Sequence, residues 1–270
     1  MPKLFRRYPG FRQRALTLSY DDGTRFDVRL VELLTKHGIK ATFNLNSGLF
    51  GSGRRLSEQE LLRLFCDSGM EIAVHGLEHP HWNRLPSAMA AYDILTDRVN
   101  LERIFGRIVR GSAYPFGAVS DGVVSILSSA GLVYCRTPGQ SERFDVPTDW
   151  MRLTPTCHHG NDRLPELCER FLAPIPHKHP TLFFLWGHSY EFEDGDSWSI
   201  IEEFAEKMGG REEIWYATNI EICEYFEAFS RLVFAADGRY VYNPTATELY
   251  FELGGRNYSI KPGETLLTSK

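Results

Sequence analysis

The sequence has no run of eighteen apolar residues, so nothing in it reads as a membrane-spanning helix. It also has no basic cluster. Its densest positive spots are the pairs Arg6-Arg7 and Arg54-Arg55, and the formal net charge is -5, which argues against a nucleic-acid footprint. Cysteine is scarce. Cys66, Cys135, Cys157, Cys168 and Cys223 include no C-x-x-C pair, and an odd number makes a poor disulfide framework. The opening residues, MPKLFRRYPGFRQRAL, lack an apolar core of signal-peptide length. Together these absences predict a cytoplasmic protein whose partners include neither nucleic acid nor membrane. They leave the oligomeric state open.

The composition is that of a folded chain. Over 270 residues, 43% are hydrophobic and 24% charged, enough for one large domain with a sizeable core. Short apolar runs alternate with helix-like segments. Strands are expected at 15–19, 39–45, 71–74, near Val109, and at 132–135, 181–186 and 214–218. Helices are expected at 27–37, after the Ser57–Glu60 capping box, at 87–105, from Ser120 to Gly131, and at 198–208 and 220–229. This alternation predicts parallel β/α units, about seven of them, which suggests a barrel more than an open sheet. From Leu232 the pattern changes to short strands and turns. The expected organisation is therefore a barrel domain over 1–231 and a small β-rich extension over 232–270.

Polar residues follow directly on several expected strands: Asp21 and Asp22, His75 and His79, the Tyr114–Gly117 turn, and His188. In a parallel β/α barrel the strand ends share one face, so residues far apart in sequence would converge there. Asp22, His75 and His79 then make a two-histidine, one-carboxylate set suited to a divalent cation, Zn²⁺ first, with Co²⁺ or Ni²⁺ as alternatives. The bland reading of Asp21-Asp22-Gly23 is a turn. The stretch His75–His79 also matches H-x-x-E-H, a protease motif that requires a helix. Gly76 and Pro80 argue against a helix there. His158-His159 has no metal spacing and reads as a loop pair, and His81 and Trp82 read as loop packing.

Five short motifs in order resemble the polysaccharide deacetylases of carbohydrate esterase family 4. Ser19-Tyr20-Asp21-Asp22-Gly23 is similar to the family's T-F-D-D-G, and His75–His79 to its H-[ST]-x-x-H. Ala113–Gly117 is similar to R-x-P-[FY]-G, Asp145–Trp150 to D-x-x-D-W, and Leu185–His188 to L-x-x-H. The resemblance implies a distorted (β/α) barrel and an N-deacetylase acting on an N-acetylated carbohydrate. It implies Asp22, His75 and His79 as ligands of a metal that polarises the acetyl carbonyl and acidifies water. It implies Asp21 as general base, His188 as general acid oriented by Asp149, and the Phe116 backbone N–H as oxyanion donor. Tyr114, Pro115 and Trp150 would contact substrate. The third motif's arginine, which steadies the base, is Ala113 here, with Arg110 three residues early. The fourth motif carries one extra residue, and Gly76 replaces a hydroxyl. Two other readings share the fold: a hydrolase of another non-peptide carbon–nitrogen amide, and a non-catalytic carbohydrate-binding relative.

Overall fold

The computed structural model describes residues 3–176 and 178–268. Strand β1 (Leu4–Arg7) precedes β2 (Arg14–Asp21), β3 (Ala41–Leu45), β4 (Glu71–Val74), β5 (Gly111–Ala113) and β6 (Tyr134–Arg136). Then come β7 (Cys157–His158), β8 (Thr181–Gly187) and β9 (Ile214–Tyr216). The helices between them are α1 (Asp27–Lys36), α2 (Glu58–Phe65), α3 (Ser87–Phe105), α4 (Asp121–Ser129), α5 (Leu164–Leu172), α6 (Ser189–Asp194), α7 (Trp198–Met208) and α8 (Asn219–Ser230).

Strands β6-β5-β4-β3-β2-β8-β7 form one sheet in that order, all neighbours parallel. One edge of β2 is divided, with β9 on Arg14–Leu16 and β3 on Leu18–Asp21. The stretch 153–158 joins the sheet's ends. Leu153 bridges Arg136 of β6, and His158 pairs with Trp186 of β8. The fold is a distorted (β/α) barrel. No helix among the described residues is long and apolar enough to cross a membrane.

Strand alternation separates two layers. Leu16, Leu18 and Tyr20 of β2 join Phe43, Leu45, Ile72, Val74, Phe183 and Leu185 in the core under the helices. The opposite face of β2, carrying Thr17, Ser19 and Asp21, looks into the barrel and is polar yet buried. Helix α8 closes the strand-start end of that interior. Thr218 and Glu221 cap it reciprocally. Its first N–H groups reach inward, Asn219 N to Thr42 Oγ1 at 3.0 Å and Ile220 N to Glu71 Oε2 at 2.9 Å. Glu71 also accepts from Thr42 Oγ1 and Tyr134 OH, both at 2.7 Å. A carboxylate at the barrel floor thus satisfies a helix N-terminus that packing has cut off from water.

The tail forms β10 (Val233–Phe234), β11 (Tyr240–Tyr242), β12 (Leu249–Leu253), β13 (Arg256–Ile260) and β14 (Thr265–Leu267). They lie in two small sheets, one of which, β1-β12-β13, takes in the N-terminal strand. Phe251 and Ile260 share an apolar cluster with Tyr225, Phe226 and Phe229 of α8, and Arg7 pairs with Glu252 at 2.5 Å, both buried.

Most expected elements form, including the Ser57–Glu60 capping box. Four were not anticipated, one being α6, only six residues long. Helix α5 has Pro165 in its first turn, where proline's missing N–H costs nothing. Strand β7 is two residues long, too short for a period to register. Strand β1 exists only by pairing with β12 at the far end of the chain. Helix α3 starts as expected at Ser87, but its N-cap is Pro86, with no side-chain cap.

Burial pushes the Glu71 carboxyl up to about 7, against the pull of Ile220 N–H, Thr42 and Tyr134. The folded state therefore holds a proton that the unfolded state has lost between the ordinary glutamate pKa and about 7. Stability should fall as pH rises through that window, by at most about 1.4 kcal/mol per pH unit. Urea melts of the parent and Glu71→Gln across pH 5–8 check this, since the parent's stability relative to the variant, which has no proton to lose, should fall as pH rises. A pH-independent difference would refute it.

Candidate active site

Asp21 is the last residue of β2 and points into the barrel, 3% exposed. Its Oδ1 accepts from Asn44 Nδ2 at 2.8 Å, and its Oδ2 pairs with the guanidinium of Arg136, itself 1% exposed. His75 Nε2 lies 3.6 Å and His188 Nε2 3.8 Å from the same Oδ2. Burial alone would raise the Asp21 carboxyl, but Arg136, His75 and His188 outweigh it and hold the group well below the usual carboxylate range.

Asp22 leaves the strand with a left-handed φ of 82°, which turns its side chain away from the path of a regular strand. Its Oδ1 stands 4.0 Å from His79 Nε2 and 3.3 Å from Arg55 Nη2. His75 follows β4 and is anchored by its N–H to Leu45 O and to Asp97 Oδ2. Its Nδ1 faces Ala113 O at 2.9 Å, and only a protonated Nδ1 can bond a carbonyl. The Nε2 lone pair is therefore free, and it faces His79 Nε2 at 3.1 Å. The donor atoms of Asp22, His75 and His79 lie within 4.8 Å of one another, a set that can hold a metal. Burial lowers the pKa of both imidazoles, so both favour the neutral form a cation needs.

The loop after β4 is not a helix. Gly76 and His79 both have positive φ, 82° and 55°. That removes the helical protease arrangement. Gly76 also explains the missing hydroxyl, because a Cβ there would sit 3.0 Å from Asp93 Oδ1 and 3.1 Å from Pro80 Cδ. Trp82 packs in the loop as expected, buried and bonded to Asp93 at 2.7 Å. Phe116 has φ 54° and a 61% exposed ring, edge-on to His79 at 4.3 Å and stacked on His81 at 4.1 Å. Pro115 opens that turn, and Tyr114 is buried against Trp82 with its hydroxyl on Met151 O.

Residues 9–135, just under half of the chain, match the family model described as polysaccharide deacetylase. Over that stretch the chain is similar to the polysaccharide deacetylases. The matched segment contains Asp21, Asp22, His75, His79 and Phe116 and ends before Arg136 and His188. Among solved structures, the family 4 carbohydrate esterase from Streptomyces lividans is 17% identical and aligns over 76% of this chain and 93% of its own, with a TM-score of 0.52. The peptidoglycan deacetylase PdaC from Bacillus subtilis is 18% identical over 81% and 95%, with a TM-score of 0.51. The PuuE allantoinase is 12% identical over 82% and 92%, with a TM-score of 0.61. These likenesses show the shared fold.

Two expected partners lie elsewhere. Asp149 caps a short helical turn, accepting from Met151 N and Arg152 N and pairing with Arg152 Nη1 at 3.0 Å, and it forms no bond to His188. Trp150 packs 5.9 Å from Phe226 of α8. The acid beside His188 is Glu191, its Oε1 3.2 Å from Nδ1. Arg110, the nearby candidate for the missing arginine, pairs with Glu224 instead. Its place is taken by Arg136. Ala113 and Arg136 are register partners on adjacent parallel strands, so both face the barrel interior. The arginine has moved one strand over and still reaches Asp21. Its signal in the sequence was its position two residues after Tyr134 at a strand end, outside the motif. Asn44, in mid-strand, gave no signal at all.

Breaking a buried ion pair on one side leaves an uncompensated charge, at about 3–5 kcal/mol. Arg136→Ala should therefore lose stability of that order in urea melts, and Ala113→Arg added to it should recover part of the loss. Equal stability of Arg136→Ala and parent would show that the pair does not hold Asp21.

Proposed function

We propose that the protein is a metal-dependent hydrolase that removes N-acetyl groups from an N-acetylated sugar or oligosaccharide. The observation that carries this reading is Asp21, ionised and buried, in reach of His75 and His188 and beside the Asp22–His75–His79 set. The free Nε2 of His75 opposite His79, with a carboxylate alongside, fits a divalent cation such as Zn²⁺. When bound there, the cation supplies Lewis acidity and lowers the pKa of water.

The chain's own groups supply the rest. Asp21, kept ionised by Arg136, accepts the proton of the attacking water. The Phe116 N–H, presented by a left-handed turn, donates to the oxygen that becomes negative as water adds to the carbonyl. His188 is held protonated against burial by Glu191 and Asp21, and its proton goes to the leaving nitrogen. Water is consumed, the carbon–nitrogen bond breaks, and the products are acetate and the free amine. The exposed Phe116 ring, backed by His81, offers an apolar face to a pyranose. The non-catalytic reading rested on the missing arginine, and Arg136 weakens it.

Purified protein should bind about one divalent ion per chain, with nitrogen and oxygen ligands at ~2.0–2.2 Å. His75→Ala with His79→Ala should abolish that binding by elemental analysis. Asp21→Asn should keep most of the metal and lose about 10²–10⁴-fold in turnover. Acetate release is measured on a panel of N-acetylated sugars and oligomers, with cyclic amides in parallel. Ring opening of a cyclic amide without acetate release would replace this reading by the other carbon–nitrogen hydrolase.

A further inference from the structure

His158 and His159, a pair with no spacing to recommend it, turn out to stand beside His188. His158 Nε2 and His159 Nε2 each lie 3.0 Å from Glu191 Oε2. His188 Nδ1 lies 3.2 Å from Glu191 Oε1, and the His188 backbone N–H reaches Oε2 at 3.3 Å. Four nitrogens thus surround one carboxylate. His159 is 4% exposed, packed between Tyr20 and Phe192. A Cβ at Gly187 would overlap its Nδ1 at 2.0 Å, so the glycine before His188 is where the second imidazole fits.

His158, His188 and Glu191 also have donor atoms within 4.8 Å of one another, as a metal site would. The proton positions decide against that. Gly160 N–H donates to His158 Nδ1 at 3.1 Å. An Nδ1 that accepts carries no proton, so in the neutral ring the proton is on Nε2, facing Glu191. His158 is a donor to the carboxylate and has no lone pair to offer a cation there. His75 shows the opposite arrangement, with Nδ1 donating to a carbonyl and Nε2 free.

We propose that Glu191, fixed by His158 and His159, is the positioning residue for His188, in the place expected of Asp149. The carboxylate, 3.2 Å from His188 Nδ1 and bonded to the His188 backbone N–H, favours the proton on Nδ1 by its charge and so sets the tautomer, leaving Nε2, 3.8 Å from Asp21 Oδ2, directed at the reacting atoms. This follows the logic by which a buried carboxylate orients a catalytic imidazole. Glu191 sits at the third position of α6, where the capping geometry ties it to the His188 backbone and fixes the ring's distance from the helix. Two further imidazole donors hold the carboxylate ionised, which offsets its burial. This inference rests on His188 acting as the acid in the proposed deacetylation.

The test reads His188 directly, so it does not depend on knowing the substrate. Groups facing the ring are Asp21 and Asp22 from the β2 end, His158 from β7, and Tyr190 and Glu191 from α6. In ¹⁵N-histidine NMR, with His188→Gln to assign the signal, the ring should carry its proton on Nδ1 when neutral. Its titration midpoint should fall by about one unit or more in Glu191→Gln, the loss of one close charge. Glu191→Asp should restore part of the shift. His158→Gln, at a half-buried position, should give a smaller shift of the same sign, which keeps the test available if Glu191→Gln does not fold. On any substrate the parent cleaves, Glu191→Gln should lower kcat by about 10²-fold, the lower end of general acid catalysis. Unchanged tautomer and midpoint in both variants would overturn the proposal. So would a second Zn²⁺ equivalent per chain that His158→Gln removes. A shifted His188 signal in a protein that releases no acetate would uphold the positioning role and count against the deacetylase reading alone.

Discussion

The Asp21–Arg136 pair is the constraint around which the upper barrel is built. A carboxylate buried this deeply would be neutral on its own, and a neutral acid there could not take a proton. One guanidinium, itself stacked 4.5 Å from the Trp186 ring, leads His75 and His188 in reversing the balance. Its position fixes several others. Asn44 must present its amide to the free oxygen of Asp21. Strand β6 must run beside β5 in a register that leaves room at Ala113. Helix α8 must close the other end, since a polar interior open to water at both ends would weaken the pair.

The same interior is polar from floor to rim. Thr17, Ser19, Thr42, Asn44 and Glu71 occupy positions that in many barrels hold branched apolar side chains. The apolar burial that drives folding is placed outside, between strands and helices, in the large cluster around Phe43, Phe65 and Phe183. Stability and chemistry are thereby assigned to opposite faces of the same strands.

That division explains what was legible in the sequence. The outward face has a strong apolar period and turn punctuation, so the strands and most helices could be placed, and with them the strand-end residues Asp21, His75 and His188. Where the period fails, so did the reading. β7 and α5 lie in a stretch with prolines at 147, 155 and 165, which interrupt any regular apolar period. Partners that reach the site across the barrel carry no local mark. Arg136 and Asn44 are ordinary strand residues until the register sets them beside Asp21. Asp149 was placed by motif order, but the turn that holds it is capped by Asp149 itself, which uses up its carboxylate. Glu191 lies three residues after His188, a spacing that brings the acid at the third helical position back to the N-cap of its own helix.

The backbone around the site carries a signal that side-chain patterns cannot show. Six non-glycine residues among those described have positive φ, and three of them are Asp22, His79 and Phe116. Aspartate and histidine tolerate the left-handed region better than most residues, whereas phenylalanine does not. Each conformation does something a regular strand end could not. Neighbours along a strand point to opposite faces, so Asp21 and Asp22 could not share a pocket without the turn at Asp22. His79 must fold back over four residues to face His75 without a helix. Phe116 must present its N–H and its ring on the same side of the turn. Strain of this kind, about 1–3 kcal/mol per residue, persists only where surrounding structure over-determines it. Here the surroundings are the buried Asp97 and Asp93 carboxylates under the histidine loop and Pro138, which would meet a Cβ at Gly117. The strained turns and the buried ion pair therefore meet at one rim of the barrel, where stability is given up for geometry.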